Sequence, residues 1–178
     1  MDAFYLGLEE VDEAPDKSVG EVFKLEDSVY LMVPFIHCGH HFLTYFSPVQ
    51  GTPELPFDIF KSAVEANSDH IVSDSPYILK FGLREHANSD RMFSPIDGSI
   101  KSIHFTLPAK LVICVRKLIE KTGTNEFYFL AGGDDDKRIE RLDRWYRRIT
   151  NSLAPKEGFE AIHSETDYGG WYGYKTSY

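Results

Sequence analysis

Phe127-Tyr128-Phe129-Leu130-Ala131-Gly132-Gly133-Asp134-Asp135-Asp136-Lys137-Arg138-Ile139-Glu140-Arg141-Leu142-Asp143-Arg144-Trp145-Tyr146-Arg147-Arg148-Ile149 decides the fold. Phe127 to Ala131 is an unbroken apolar run of strand length, and Gly132-Gly133 with the aspartates after it turns the chain into a helix. Asp134 to Asp136 stand at the positive end of that helix's dipole, where carboxylates are favourable. Ile139, Leu142, Trp145, Tyr146 and Ile149 recur at helical spacing, with Lys137, Arg141, Arg144 and Arg148 on the other side. Such a helix packs on a sheet.

Working outward, Ala109 to Thr122 is a second amphipathic helix, with Leu111, Val112, Cys114, Val115, Leu118 and Ile119 apolar, introduced by Pro108 and ended by Gly123. Gly158 to Ile162 and Trp171 to Thr176 read as the two closing strands, the second with aromatics on both faces. Upstream, Gly20 to Leu25 and Ser28 to Ile36 read as a hairpin about Glu26-Asp27-Ser28, followed by an irregular stretch from His37 to Gln50. Thr52-Pro53 caps a helix to about Asn67. Strands are expected at Tyr77 to Leu83 and Ile100 to Leu107, the latter after the turn signal Asp97-Gly98, with a short one at His70 to Ser73. Asp2 to Leu8 reads as a short strand and Glu9 to Ser18 as an acidic loop.

With 178 residues and 42% hydrophobic content, the chain is expected to form one domain, 28–178 being its core and 1–27 an extension. The net charge of -9 argues against a broad nucleic-acid footprint. No apolar run is long enough to span a bilayer and no leader pattern opens the chain, so the expected location is cytoplasmic. Two cysteines, Cys38 and Cys114, make no disulfide framework, and Cys114 reads as a packed small hydrophobe.

Taken from Ser28, the expected order is strand, helix, three strands, helix, strand, helix, strand, strand. That order, with Leu142-Asp143-Arg144-Trp145-Tyr146-Arg147-Arg148-Ile149 ahead of Gly158-Phe159-Glu160-Ala161, resembles the GNAT N-acetyltransferase superfamily. The resemblance implies an α/β fold whose central mixed, twisted sheet carries helices on both sides. It implies acetyl-CoA as cofactor and Tyr146 as the acid that protonates the departing thiolate. A pyrophosphate turn would fall at Phe105-Thr106-Leu107-Pro108-Ala109-Lys110, with Phe105, Thr106, Leu107 and Lys110 at the cofactor. That stretch has no glycine and Pro108 lacks an N–H, so Lys110 would meet a phosphate as a point charge. His104 or Glu160 would take the amine proton.

The expected function is therefore transfer of an acyl group from acyl-CoA to an amine of a protein or small molecule. The alternative is a non-catalytic GNAT-fold protein that binds and modulates a partner, an inhibitor or adaptor of the kind phages and mobile elements carry. Its partner surface would be Trp171, Tyr172 and Tyr174, or the Arg141, Arg144, Arg148 face; aromatics interleaved with glycine are favoured contact residues. His37-Cys38-Gly39-His40-His41 holds zinc-ligand residue types. A closed site would need His70 or His86 as well, and without a second ligand pair at finger spacing no metal is expected.

Overall fold

The structure, a computed structural model, describes residues 3–9, 14–26, 28–50, 55–87, 89, 103–131, 136–152, 155–166 and 169–176. The cap Thr52-Pro53, the turn signals Asp97-Gly98 and Gly132-Gly133, and Asp27 lie outside the described residues. The elements are β1 (Leu31–His37), β2 (His40–Pro48), α1 (Phe57–Glu65), β3 (Tyr77–Leu83), α2 (Ile103–Thr122), β4 (Glu126–Ala131), α3 (Asp136–Ser152), β5 (Phe159–Thr166) and β6 (Gly169–Thr176). The strands form a six-stranded mixed sheet in the order β1-β2-β3-β4-β6-β5. β3 and β4 run parallel, while β1/β2, β4/β6 and β5/β6 are antiparallel. The α/β class and the three long helices are as the periodicities predict.

Residues pack in two compact units: Met1–Phe46 with Lys80–Gly123, and Ser47–Leu79 with Thr124–Tyr178. In the first, the hairpin differs from the expected one. Cys38 and Gly39, at φ 51° and 72°, form a two-residue loop that pairs His37 with His40 and sets the register Phe35↔Phe42 and Val33↔Thr44. Left-handed angles at both loop positions give the twist that antiparallel strands need. Val19 and Phe23 make only single bridges, to Phe35 and Met32. The supposedly irregular stretch is thus β2, buried from Phe42 to Ser47. The expected strand at Asp2 to Leu8 is instead a short 3-10 turn, Ala3–Tyr5, whose Tyr5 packs with Met32, Leu43 and Tyr45.

A second correction falls on α2. Its backbone is helical from Ile103, so no strand continues to Leu107, and Pro108 lies inside the helix rather than at its start. Pro108 leaves the carbonyl of residue 104 without its usual helical donor, which weakens the first turns only, and the following ten residues bury Leu111, Cys114, Val115 and Leu118. Burial pushes the Cys114 thiol up to about 12, so it packs as a small hydrophobe as expected.

In the second unit β4, β6 and β5 carry α1 on one face and α3 on the other. The alternation of β6 makes this possible: Trp171 joins Phe60, Val64, Tyr128 and Ile162 on the α1 side, and Tyr172 and Tyr174 meet Tyr146 and Phe129 on the α3 side. His70 to Ser73 forms no strand. Gly173 pairs with both Tyr128 and Ile162, and an added Cβ there would stand 2.6 Å from the Phe127 carbonyl oxygen and 2.9 Å from Tyr128 Cδ1. Gly173→Ala is therefore expected to cost about 1–3 kcal/mol, read from the urea midpoint. An unchanged midpoint would show that β6 shifts at no cost.

Candidate functional site

Helix α3 carries its polar and aromatic groups onto the face of β5 and β6 by the i, i+4 rule. Tyr146, 8% exposed, lies with its ring centroid 5.0 Å from that of Phe129 and 5.9 Å from that of Tyr172. One turn earlier, Asp143 accepts hydrogen bonds from the Tyr172 hydroxyl and, at 3.0 Å, from Arg147 Nε. Arg147 also pairs with Glu165 of β5, which raises its own pKa and holds the Glu165 carboxyl below the usual range.

His163 completes the group. Its ring stacks on Tyr172 at 4.6 Å and 20°, and its Nε2 is buried, without a hydrogen-bond partner, 3.8 Å from a Glu165 carboxylate oxygen. Burial, then the Arg147 charge, lowers its pKa, so the imidazole is neutral at pH 7 and able to accept a proton. Tyr146, Tyr172 and His163 thus form one row, a phenol at one end and an unpaired imidazole nitrogen at the other.

Of the expected residues, Tyr146 belongs to this row. Glu160 does not: alternation along β5 puts it on the opposite face from Phe159 and His163, where it is exposed. His104, Phe105 and Thr106 lie on the first turns of α2, in the other unit, and their side chains are outside the described residues. Leu107 and Lys110 are each 1% exposed, and the Lys110 ammonium donates to the Ile36 carbonyl at 2.7 Å, so it faces the protein interior. Trp171, Tyr172 and Tyr174 are buried in their own sheet and offer no outer surface. Arg141 and Arg144 are exposed, their Nε atoms donating back to the carbonyls of Lys137 and Glu140; the Arg148 side chain is outside the described residues. Asp143, Arg147, His163 and Glu165 were legible only as spacing: a Glu or Asp with Arg four residues on, and two polar positions two apart on a strand.

On the α1 side lies a second polar cluster that the sequence did not mark. The Glu126 side chain is fully buried and accepts hydrogen bonds from the Tyr128 hydroxyl, from His70 Nε2 at 3.1 Å and from the Ser73 backbone N–H at 3.0 Å. Burial alone would raise its pKa, but these donors outweigh it and hold the carboxyl below the ordinary value. It ties β4 to the segment ahead of β3. No group of three or more metal-ligating side chains occurs among the described residues, and no helix there is long and apolar enough to cross a membrane. Compared with protein-family models, curated proteins and solved structures, the chain matches none.

Proposed function

We propose that this chain is a GNAT-like acyltransferase that moves an acyl group from acyl-CoA to an amine of a protein or small molecule. The observation that carries the reading is the row from Tyr146 to His163, a proton donor and a neutral proton acceptor on one face of β5 and β6. It is supported by the order α2, β4, α3, β5, β6 with β3 parallel to β4, the order the resemblance implies. Acyl-CoA would supply the activated thioester. Tyr146 would then donate its proton to the leaving sulfur, and His163, rather than Glu160, would relieve the attacking amine of its proton. Arg147 and Asp143 position Tyr172 beneath the imidazole.

Calorimetric titration with acetyl-CoA is expected to give one-to-one, micromolar binding. Silence with acetyl-CoA, coenzyme A and longer acyl-CoAs would overturn the reading. The partner-binding alternative would then stand on the exposed Arg141 and Arg144 face of α3 alone, since the aromatic tail is interior.

A further inference from the structure

The two edges of the sheet are built differently. β1, at one end, contains Pro34 and is bridged on its outer side: Gly20 donates to the Pro34 carbonyl, and Phe23 exchanges two backbone hydrogen bonds with Met32. A proline and a covering segment are ordinary ways of keeping an open edge from pairing with a second chain. β5, at the other end, has neither among the described residues. It runs for eight residues, where strands average about five to six, pairs with β6 without a bulge, and contains no proline or lysine.

The strand is also held from both faces. Ser164 Oγ donates to the Ala63 carbonyl of α1 at 2.9 Å, and Glu165 pairs with Arg147 of α3. Its outward backbone N–H and C=O groups are therefore fixed in line, as strand addition requires.

Charge decides what fits there. Glu160 and Glu165 are exposed, an odd number of positions apart and hence on opposite faces, and β5 itself carries no cation. Lys175 of β6 stands opposite Glu160, and Arg147 reaches Glu165, both from the inner side. A carboxylate has about four acceptor sites, so each can take a second cation from the open side. A second copy of this chain fits poorly: in the antiparallel register that pairs the whole of β5, Glu160 of one copy falls opposite Glu165 of the other, and like charges so placed oppose pairing.

We propose that the open edge of β5 docks an extended segment of a partner protein, which adds as a further strand and places lysines opposite Glu160 and Glu165. Main-chain hydrogen bonds supply the affinity and the two lysines set the register. The docked segment passes beside His163, which shares a face of β5 with Glu165. On the acyl-transfer reading, on which this step alone rests, the acceptor amine then belongs to a protein chain rather than to a small molecule.

The test titrates the folded chain with the peptide Thr-Lys-Thr-Val-Thr-Val-Lys-Thr, followed by fluorescence anisotropy. Acetyl-CoA is left out, so that peptide docking and cofactor binding fail separately. Saturable one-to-one binding is expected. Two further peptides of equal charge carry N-methyl groups at every second residue, in one frame or the other. One frame removes the donors that face β5 and is expected to bind at least about tenfold more weakly; the other is expected to stay within about twofold. Glu160→Lys, at an exposed position, is expected to weaken the unmodified peptide about fivefold. Hydrogen exchange should show β5 amides that gain protection when the peptide binds. Absence of binding would overturn the proposal, and so would equal binding of the two N-methylated frames, which marks attraction by charge alone. β5 amides already protected in the free chain, as a second copy on that edge would leave them, would overturn it as well. Should Glu160→Lys not fold, the two N-methylated frames decide by themselves.

Discussion

Glu126→Ala is expected to lower stability by about 3 kcal/mol. The carboxylate is fully buried and satisfies three donors at once: the Tyr128 hydroxyl, His70 Nε2 and the Ser73 N–H. Removing it strands all three in a low-dielectric interior, and a stranded buried donor costs more than the net worth of the bond it made. The same contacts fix a pH dependence. The folded pKa of Glu126 is lowered, so its contribution is present above the unfolded carboxyl value near pH 4.3 and is lost as pH falls through the folded value. Urea midpoints measured from pH 7 down to pH 3 should therefore fall more steeply for the unsubstituted chain than for Glu126→Gln. A stability at pH 7 that falls by less than about 0.5 kcal/mol in Glu126→Ala would mean the three donors find other acceptors in the folded chain.

Tyr146→Phe is expected to lower acyl-transfer turnover at least about 100-fold while leaving acetyl-CoA affinity within about twofold. The substitution keeps the ring that packs against Phe129 and Tyr172 and removes only the hydroxyl. An effect on kcat without one on binding is the mark of a group used in the transition state. Turnover should also fall on the acid side at a pH below the ordinary histidine value of about 6.5, because the lowered pKa of His163 keeps it an acceptor to lower pH. Full turnover in Tyr146→Phe would remove the phenol from the mechanism, and loss of acetyl-CoA binding with it would show that the hydroxyl serves structure instead.

Elements with a strong period were the ones legible beforehand. In α3 the residues Ile139, Leu142, Trp145, Tyr146 and Ile149 repeat at helical spacing, and in β4 Phe127 to Ala131 is a continuous apolar run. Both stand where they were expected. The hairpin was misplaced because β2 begins with two histidines, which blur alternation, and because Cys38-Gly39 is a turn by backbone angle rather than by composition. The stretch from Ile103 to Leu107 was misread for a related reason: Ile-His-Phe-Thr-Leu alternates like a strand, yet the helix that buries Leu111, Cys114 and Leu118 extends backward over it, tertiary packing overriding local preference. Strand sequence alone does not say which of its two faces meets a helix, so it does not separate Glu160 from His163.

Sequence by itself determined the α/β class, the three long helices, the closing strand pair and the helical face that carries Tyr146. These follow from short-range spacing of apolar side chains, which any soluble chain must obey to bury them. Only the tertiary structure decided what those side chains meet. It buried Trp171, Tyr172 and Tyr174 on two faces of one strand, turned Lys110 inward to a backbone carbonyl, gathered His70, Glu126 and Tyr128 across 58 residues of chain, and set His163 on Tyr172. Hydrogen bonds and ring contacts between residues far apart in sequence depend on strand order and register, and those are fixed by the whole chain's packing rather than by any one segment.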